Sequence, residues 1–190
     1  MKRTWLLLTT PLSLLLATGP KPGAQQATTP GGWQLTQKPD DSHENSPAQF
    51  SLAGKFIARP QKDPGTPPEL ELSCKRHRLG KRFTSAHLEV GALLKIAYVE
   101  PDEIKAGTSY YPKVDVQYRL DDGKEEKDQW MPGTEKTSVS IPRKTFEKML
   151  QAHTVQIKLP DYTGREISVQ FDVPDSSQVG ATCDLPVRKK

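Results

Sequence analysis

What this sequence lacks narrows it before anything it contains. Two cysteines and four histidines in 190 residues do not make the paired spacings of a zinc site, and no metal or cofactor is expected. There is no Gly-x-Ser-x-Gly elbow and no Ser-x-x-Lys pair for a nucleophile. Neither a P-loop nor a dinucleotide-binding glycine fingerprint is found, and no Asp-x-Asp-x-Asp-Gly run marks a calcium loop. His43, His77, His87 and His153 are scattered along the chain. The expectation is therefore a protein with no catalytic residues, and an enzyme would need a site assembled from dispersed positions.

Long apolar runs are also missing, with one exception at the start. Lys2 and Arg3 precede an apolar run from Trp5 through Leu16, and Ala17-Thr18-Gly19 follows. Charge, apolar core and small residues in that order are the plan of a secretory signal peptide. No other stretch approaches the roughly 20 apolar residues that would span a bilayer. Export to the periplasm or beyond is expected, with no transmembrane anchor after cleavage and no cysteine placed for a lipid. Removing residues 1–24 takes Lys2, Arg3 and Lys21 with it. The basic residues fall from 27 to 24 against 23 acids, so the net charge of +4 nearly vanishes. The basic composition thus says little about partners.

Cys74 and Cys183 remain, and an even count in an oxidising compartment favours a disulfide between them. Closing a loop of about 100 residues would stabilise the fold by about 4 to 5 kcal/mol. Two separate buried thiols are the alternative.

What is present is strand alternation. Val114, Val116, Tyr118 and Leu120 alternate with polar residues, as a half-buried strand requires. The pattern returns at Val155, Ile157 and Leu159, at Ile167, Val169, Phe171 and Val173, and along even positions from Ala86 to Tyr98, where Gly91 suggests a bend. Phe50-Ser51-Leu52 and Leu70-Glu71-Leu72-Ser73-Cys74 read as earlier strands, and Trp33-Gln34-Leu35 as an added edge. Asp121-Asp122-Gly123 and Pro160 to Gly164 read as hairpin turns. From Arg143 to Ala152 the apolar residues Phe146, Met149 and Leu150 form a helical stripe, with Pro142 suited to the first turn. The expected fold is mainly β, a sandwich or open barrel with one short helix at about 143–152. The expected organisation is a signal peptide at 1–24, a flexible linker at 25–47, one β-rich domain at 48–185 and a basic tail at 186–190. Beyond Val173 the residues read as a polar tail that runs through Cys183.

Two surfaces are candidates for recognition. Lys75, Arg76, Arg78, Lys81 and Arg82 surround one turn and could meet an anionic glycan or lipid, or an acidic partner. Nucleic acid is disfavoured there because only Phe83 is at hand for stacking. Glu125, Glu126 and Asp128, with Trp130 behind them, read as a charge-protected exposed edge strand that could recruit a protein partner by strand addition.

The order of features resembles the VasI family of small exported proteins associated with type VI secretion. The resemblance runs from Trp33 through Leu70-x-Leu72-x-Cys74, Val114-x-Val116-x-Tyr118-Arg119-Leu120-Asp121, Trp130, Leu150, Val155-x-Ile157 and Phe171 to Cys183. Family members carry a glycine and an apolar helical segment before the last cysteine, where this chain has Asp172-Val173-Pro174-Asp175-Ser176-Ser177. The resemblance implies an accessory envelope role, tied to a secretion-system protein, with no catalytic residues to carry over. A non-catalytic exported interaction module is the expected function, and an anionic-glycan or lipid binder acting through the basic turn is the alternative.

Overall fold

The computed structural model describes residues 32–37, 47–60, 64–76, 82–98 and 112–188. The proposed signal peptide and most of the expected linker lie outside them. The elements in chain order are β1 (Gln34–Gln37), β2 (Ala48–Ala53), β3 (Lys55–Ala58), β4 (Glu69–Arg76), β5 (Arg82–Glu89), β6 (Ala97–Tyr98) and β7 (Pro112–Leu120). They continue with β8 (Glu126–Pro132), β9 (Ser138–Ile141), α1 (Arg143–Met149), β10 (Thr154–Pro160), β11 (Glu166–Asp172) and α2 (Ser177–Cys183). The fold is mainly β, as the alternation implies.

All strand pairs are antiparallel, in the order β1-β2-β4-β5-β9-β8-β7-β10-β11-β3, with β6 on β7. Two features let this order fold over on itself, as a sandwich or an open barrel does. β8 and β9 meet through only two residue pairs, Met131 with Ser140 and Pro132 with Val139, so the sheet divides there. β2 and β3 are consecutive in the chain, yet they lie near opposite ends of the order. The strand therefore crosses from one half, β1-β2-β4-β5-β9, to the other, β8-β7-β10-β11-β3, within the single residue Gly54. A Cβ at Gly54 would stand 2.5 Å from the Phe171 ring and 2.8 Å from the Gln170 carbonyl. Only glycine lets the two backbones come so close.

The inner faces supply the core. Leu70, Leu72, Leu88, Val114, Val116, Val155, Ile157, Ile167, Val169 and Phe171 are buried, each at the position its alternation predicts. The α1 stripe of Phe146, Met149 and Leu150 is buried too, each side chain contributing about 1.5 to 3 kcal/mol of apolar transfer. β5 ends at Glu89, and Gly91 takes a positive φ of 64° at the expected bend. The Asp-Gly turn differs in detail. The left-handed residue is Asp121, with φ 50°, and Gly123 donates to the Leu120 carbonyl at 2.9 Å. The Asp121 carboxylate accepts the backbone N–H groups of His153 and Thr154 at 2.7 and 2.8 Å. That contact locks the start of β10 onto the end of β7 and rewards the strained backbone.

The expected polar tail contains a second helix, α2. Val179 and Cys183, four residues apart, are buried on one side of it. A disulfide joins Cys183 to Cys74 of β4 with their Cα atoms 5.4 Å apart, across 109 residues. Ser176, at the N-terminus of α2, accepts a hydrogen bond from Trp33 Nε1 at 2.9 Å, and the Trp33 ring meets Phe146 edge-on at 6.3 Å. The segment before β1 is thereby tied to both helices. No helix among the described residues is long and apolar enough to cross a membrane, and the disulfide fits an oxidising environment.

Candidate functional site

β8 pairs with β7 along Glu126 to Trp130 but with β9 only at Met131 and Pro132, so Glu126 to Gln129 are paired on one side alone among the described residues. Its acids also have a role within the fold. Glu126, Asp128 and Trp130 stand opposite Tyr118, Val116 and Val114, on the inward side of the strand. Trp130 is 1% exposed and Tyr118 is 4% exposed, so the indole N–H and phenol O–H each need a partner at the rim. Asp128 accepts from Trp130 Nε1 at 2.9 Å, and Glu126 accepts from Tyr118 Oη at 2.6 Å. Lys148 of α1 closes the set with an ion pair to Glu126 at 3.1 Å. Burial and the Glu126 hydrogen bond push the Tyr118 hydroxyl up to about 12. The same hydrogen bond, and then Lys148, hold the Glu126 carboxyl below its ordinary value. Glu125 pairs with Lys158 at 2.7 Å, which lowers the carboxyl and raises the amine. These groups fasten α1 and β10 to the β7–β8 hairpin.

The basic turn falls largely outside the described residues. Lys75 is exposed on β4 and Phe83 is 61% exposed on β5, on directly opposite positions. Arg76 and Arg82 close the β4–β5 ladder by their backbones. Arg78 and Lys81 are not among the described residues.

Two strands end the sheet order among the described residues. β1 is short, and a bulge interrupts its pairing with β2 between Leu35 and Gln37, which is one way a sheet protects an edge. β3 is the other. It pairs with β11 on one side, through Lys55, Phe56 and Ala58, and ends the strand order. Phe56 packs inward against the core while Ile57 points out, 54% exposed. The Arg59 guanidinium lies over the Phe56 ring, 5.7 Å from its centroid. Around this edge Lys55 pairs with Asp172 at 3.5 Å, and Gln170 binds the other oxygen of that carboxylate at 3.0 Å. Gln170, ahead of Lys55, holds the Asp172 carboxyl below its ordinary value. The sequence reading missed β3 because Gly54 interrupts the alternation after Leu52. Its signal is the short apolar pair Phe56-Ile57 placed directly after a glycine.

Among the described residues no group of three or more His, Cys, Asp or Glu side chains converges as a metal site. His87 Nδ1 lies 3.2 Å from Ser140 Oγ on the outer face of β5 and β9. Comparison with protein-family models, with curated proteins and with solved structures finds no match for this chain.

Proposed function

We propose that this chain is a non-catalytic interaction module of the cell envelope, exported and stapled by its disulfide, that engages a protein partner through the free edge of β3. The observation that carries the reading is that edge itself. A strand paired on one side only among the described residues, with Ile57 exposed beside an inward-packed Phe56, offers main-chain hydrogen bonds and one apolar anchor to an added strand. The disulfide supports an oxidising compartment, and with the apolar N-terminal run it supports export. The likeness to the VasI family adds a secretion-system protein as the kind of partner.

A photo-crosslinking residue at position 55 of β3, in cells making the full chain, tests this. A discrete protein captured at 55, and lost when a second change, Ile57→Pro, disrupts the strand edge, is the expected result. Capture at 55 that survives Ile57→Pro, or the absence of any captured protein, overturns the β3 reading. Glycan or lipid held by a second probe at Arg78 would favour the basic turn instead.

A further inference from the structure

The strand that carries one half of the disulfide faces a polar atom with nothing to bind. Thr84 Oγ1 is the one buried side-chain oxygen or nitrogen without a hydrogen-bond partner among the described residues. Buried polar groups rarely stay unpaired, and each exception asks for a cause. Thr84 shares the inner side of β5 with buried Ala86 and Leu88, and its partner in the ladder is Cys74 of β4. Side chains opposite each other in an antiparallel pair have Cβ atoms about 4.5 to 5.5 Å apart. The hydroxyl is therefore a neighbour of the Cys74 sulfur, which in the disulfide has no hydrogen to donate. A thiol at Cys74 has one. The β4–β5 ladder keeps the two residues opposite each other whatever becomes of Cys183, so reduction gives the Thr84 hydroxyl the partner it lacks.

Reduction also unfastens α2, which has little of its own to hold it. Its seven residues are too few for a helix that stands alone, and no side-chain hydrogen bond caps its start. Ser176, just before α2, accepts from Trp33 Nε1 at 2.9 Å, and Trp33 directly precedes β1. β1 itself rests on β2 through three residue pairs broken by a bulge. The bond between Cys74 and Cys183 thus reaches, through α2 and Trp33, to the strand that covers one side of the six-residue β2.

We infer that the Cys74–Cys183 bond is a reducible latch: a dithiol opens it, the Thr84 hydroxyl favours the open form, and α2 and β1 then come away to uncover the edge of β2. Cys74 is 5% exposed and Cys183 1%, so the attack follows a local lifting of α2. One thiolate of the dithiol attacks a sulfur of the pair, and its second thiolate closes the reductant's own disulfide. Two electrons and two protons pass to Cys74 and Cys183, which end as thiols. The uncovered β2 edge offers main-chain groups for strand addition. It lies on the opposite half of the sheet from β3, so the latch does not depend on the β3 reading.

The test equilibrates the purified protein in dithiothreitol mixtures of graded reduced-to-oxidised ratio, traps the thiols by alkylation and reads the disulfide fraction by mass. Thr84→Val keeps the shape of the side chain and removes the hydroxyl. It should move the equilibrium about threefold to tenfold toward the disulfide, the worth of one neutral hydrogen bond, which is about 15 to 30 mV for a two-electron couple. Thr84→Ser keeps a hydroxyl and should titrate like the native chain. A midpoint unmoved by Thr84→Val, or moved equally by Thr84→Ser, overturns the inference. Hydrogen exchange on the reduced native protein reads the release itself. Faster exchange at 33–37 and 177–183, with β10 and β11 still protected, is expected. Protection at 33–37 that survives reduction, or loss across the whole sheet at once, overturns the latch.

Discussion

The outer faces of the two sheet halves carry similar polar residues and treat them in opposite ways. On β8-β7-β10-β11-β3 the charges are committed. Lys158 holds Glu125 at 2.7 Å, Lys55 holds Asp172 at 3.5 Å, Asp115 accepts from Gln129 at 2.9 Å and Arg119 donates to Gln156. On β1-β2-β4-β5-β9 the acids Glu69 and Glu71 face Glu89 and His87 with no cation among them. A compensated face is a finished surface, and exposed pairs of this kind contribute little to stability. An uncompensated one leaves like charges opposed across the strands, which destabilises a sheet modestly.

The largest expected effect comes from opening the disulfide, which lies wholly on the acidic half. Cys74 sits in β4 and Cys183 in α2, so the bond closes a loop across 109 residues. Replacing both cysteines by serine should lower unfolding free energy by about 4 to 5 kcal/mol on the chain-entropy account. Denaturant titration measures the sum, and hydrogen exchange locates it. Loss of protection should begin at α2 and β4 while β10 and β11 stay protected. If protection falls evenly across both halves, they do not behave as distinct units and the comparison fails.

A smaller effect sharpens the compensated side. Tyr118 donates to Glu126 at 2.6 Å, and replacing it with phenylalanine should cost about 1 kcal/mol. The pH dependence has a definite sign at each end. Glu126 is held below its ordinary value of 4.5, so the folded state resists protonation where the unfolded chain accepts it. Its contribution is present above about pH 4.5 and is lost as pH falls through the lowered folded value. Tyr118 is raised from 10.0 to about 12, so the unfolded chain loses this proton first. Its contribution is complete below pH 10 and declines as pH rises from there toward 12. Urea titrations across pH should show both slopes in the native chain, with the alkaline one reduced in Tyr118→Phe and the share of Lys158 left in place. An alkaline slope unchanged in that variant would remove Tyr118 as a contributor.

Much of this was readable from residue order, and the exceptions share a cause. Alternation located β7, β10 and β11 because both the period and the buried face are local properties of the chain. The α1 stripe was local in the same way. α2 was not readable, since Ser-Gln-Val-Gly-Ala-Thr-Cys has poor helix propensity and is held by the disulfide and by burial of Val179. β8 was legible only in part, because a run of acids looks the same whether it protects an edge or satisfies a buried tyrosine and tryptophan. The opposition of Glu69 to Glu89 and of Glu71 to His87 was invisible for a related reason: it is set by the register of β4 on β5, and register does not appear in composition or spacing.

The smallest prediction is the most direct test of the contrast, because it concerns a sign. Neutralising an acid on the compensated half removes an attraction, so Glu126→Gln should destabilise the fold. Neutralising Glu69 removes a repulsion, since its cross-strand neighbour is Glu89. Glu69→Gln should therefore stabilise the fold by about 0.2 to 1 kcal/mol, the range for cross-strand charge pairs. Added salt should shrink the gain, because exposed charges are screened over about 10 Å at 0.1 M ionic strength. The measurement is a pair of urea titrations at pH 7, at low and high salt, on the two variants and the native chain. Destabilisation by Glu69→Gln would mean that a cation already compensates the acidic face from within the chain. The two faces would then treat their charges alike, and the contrast between them would fail.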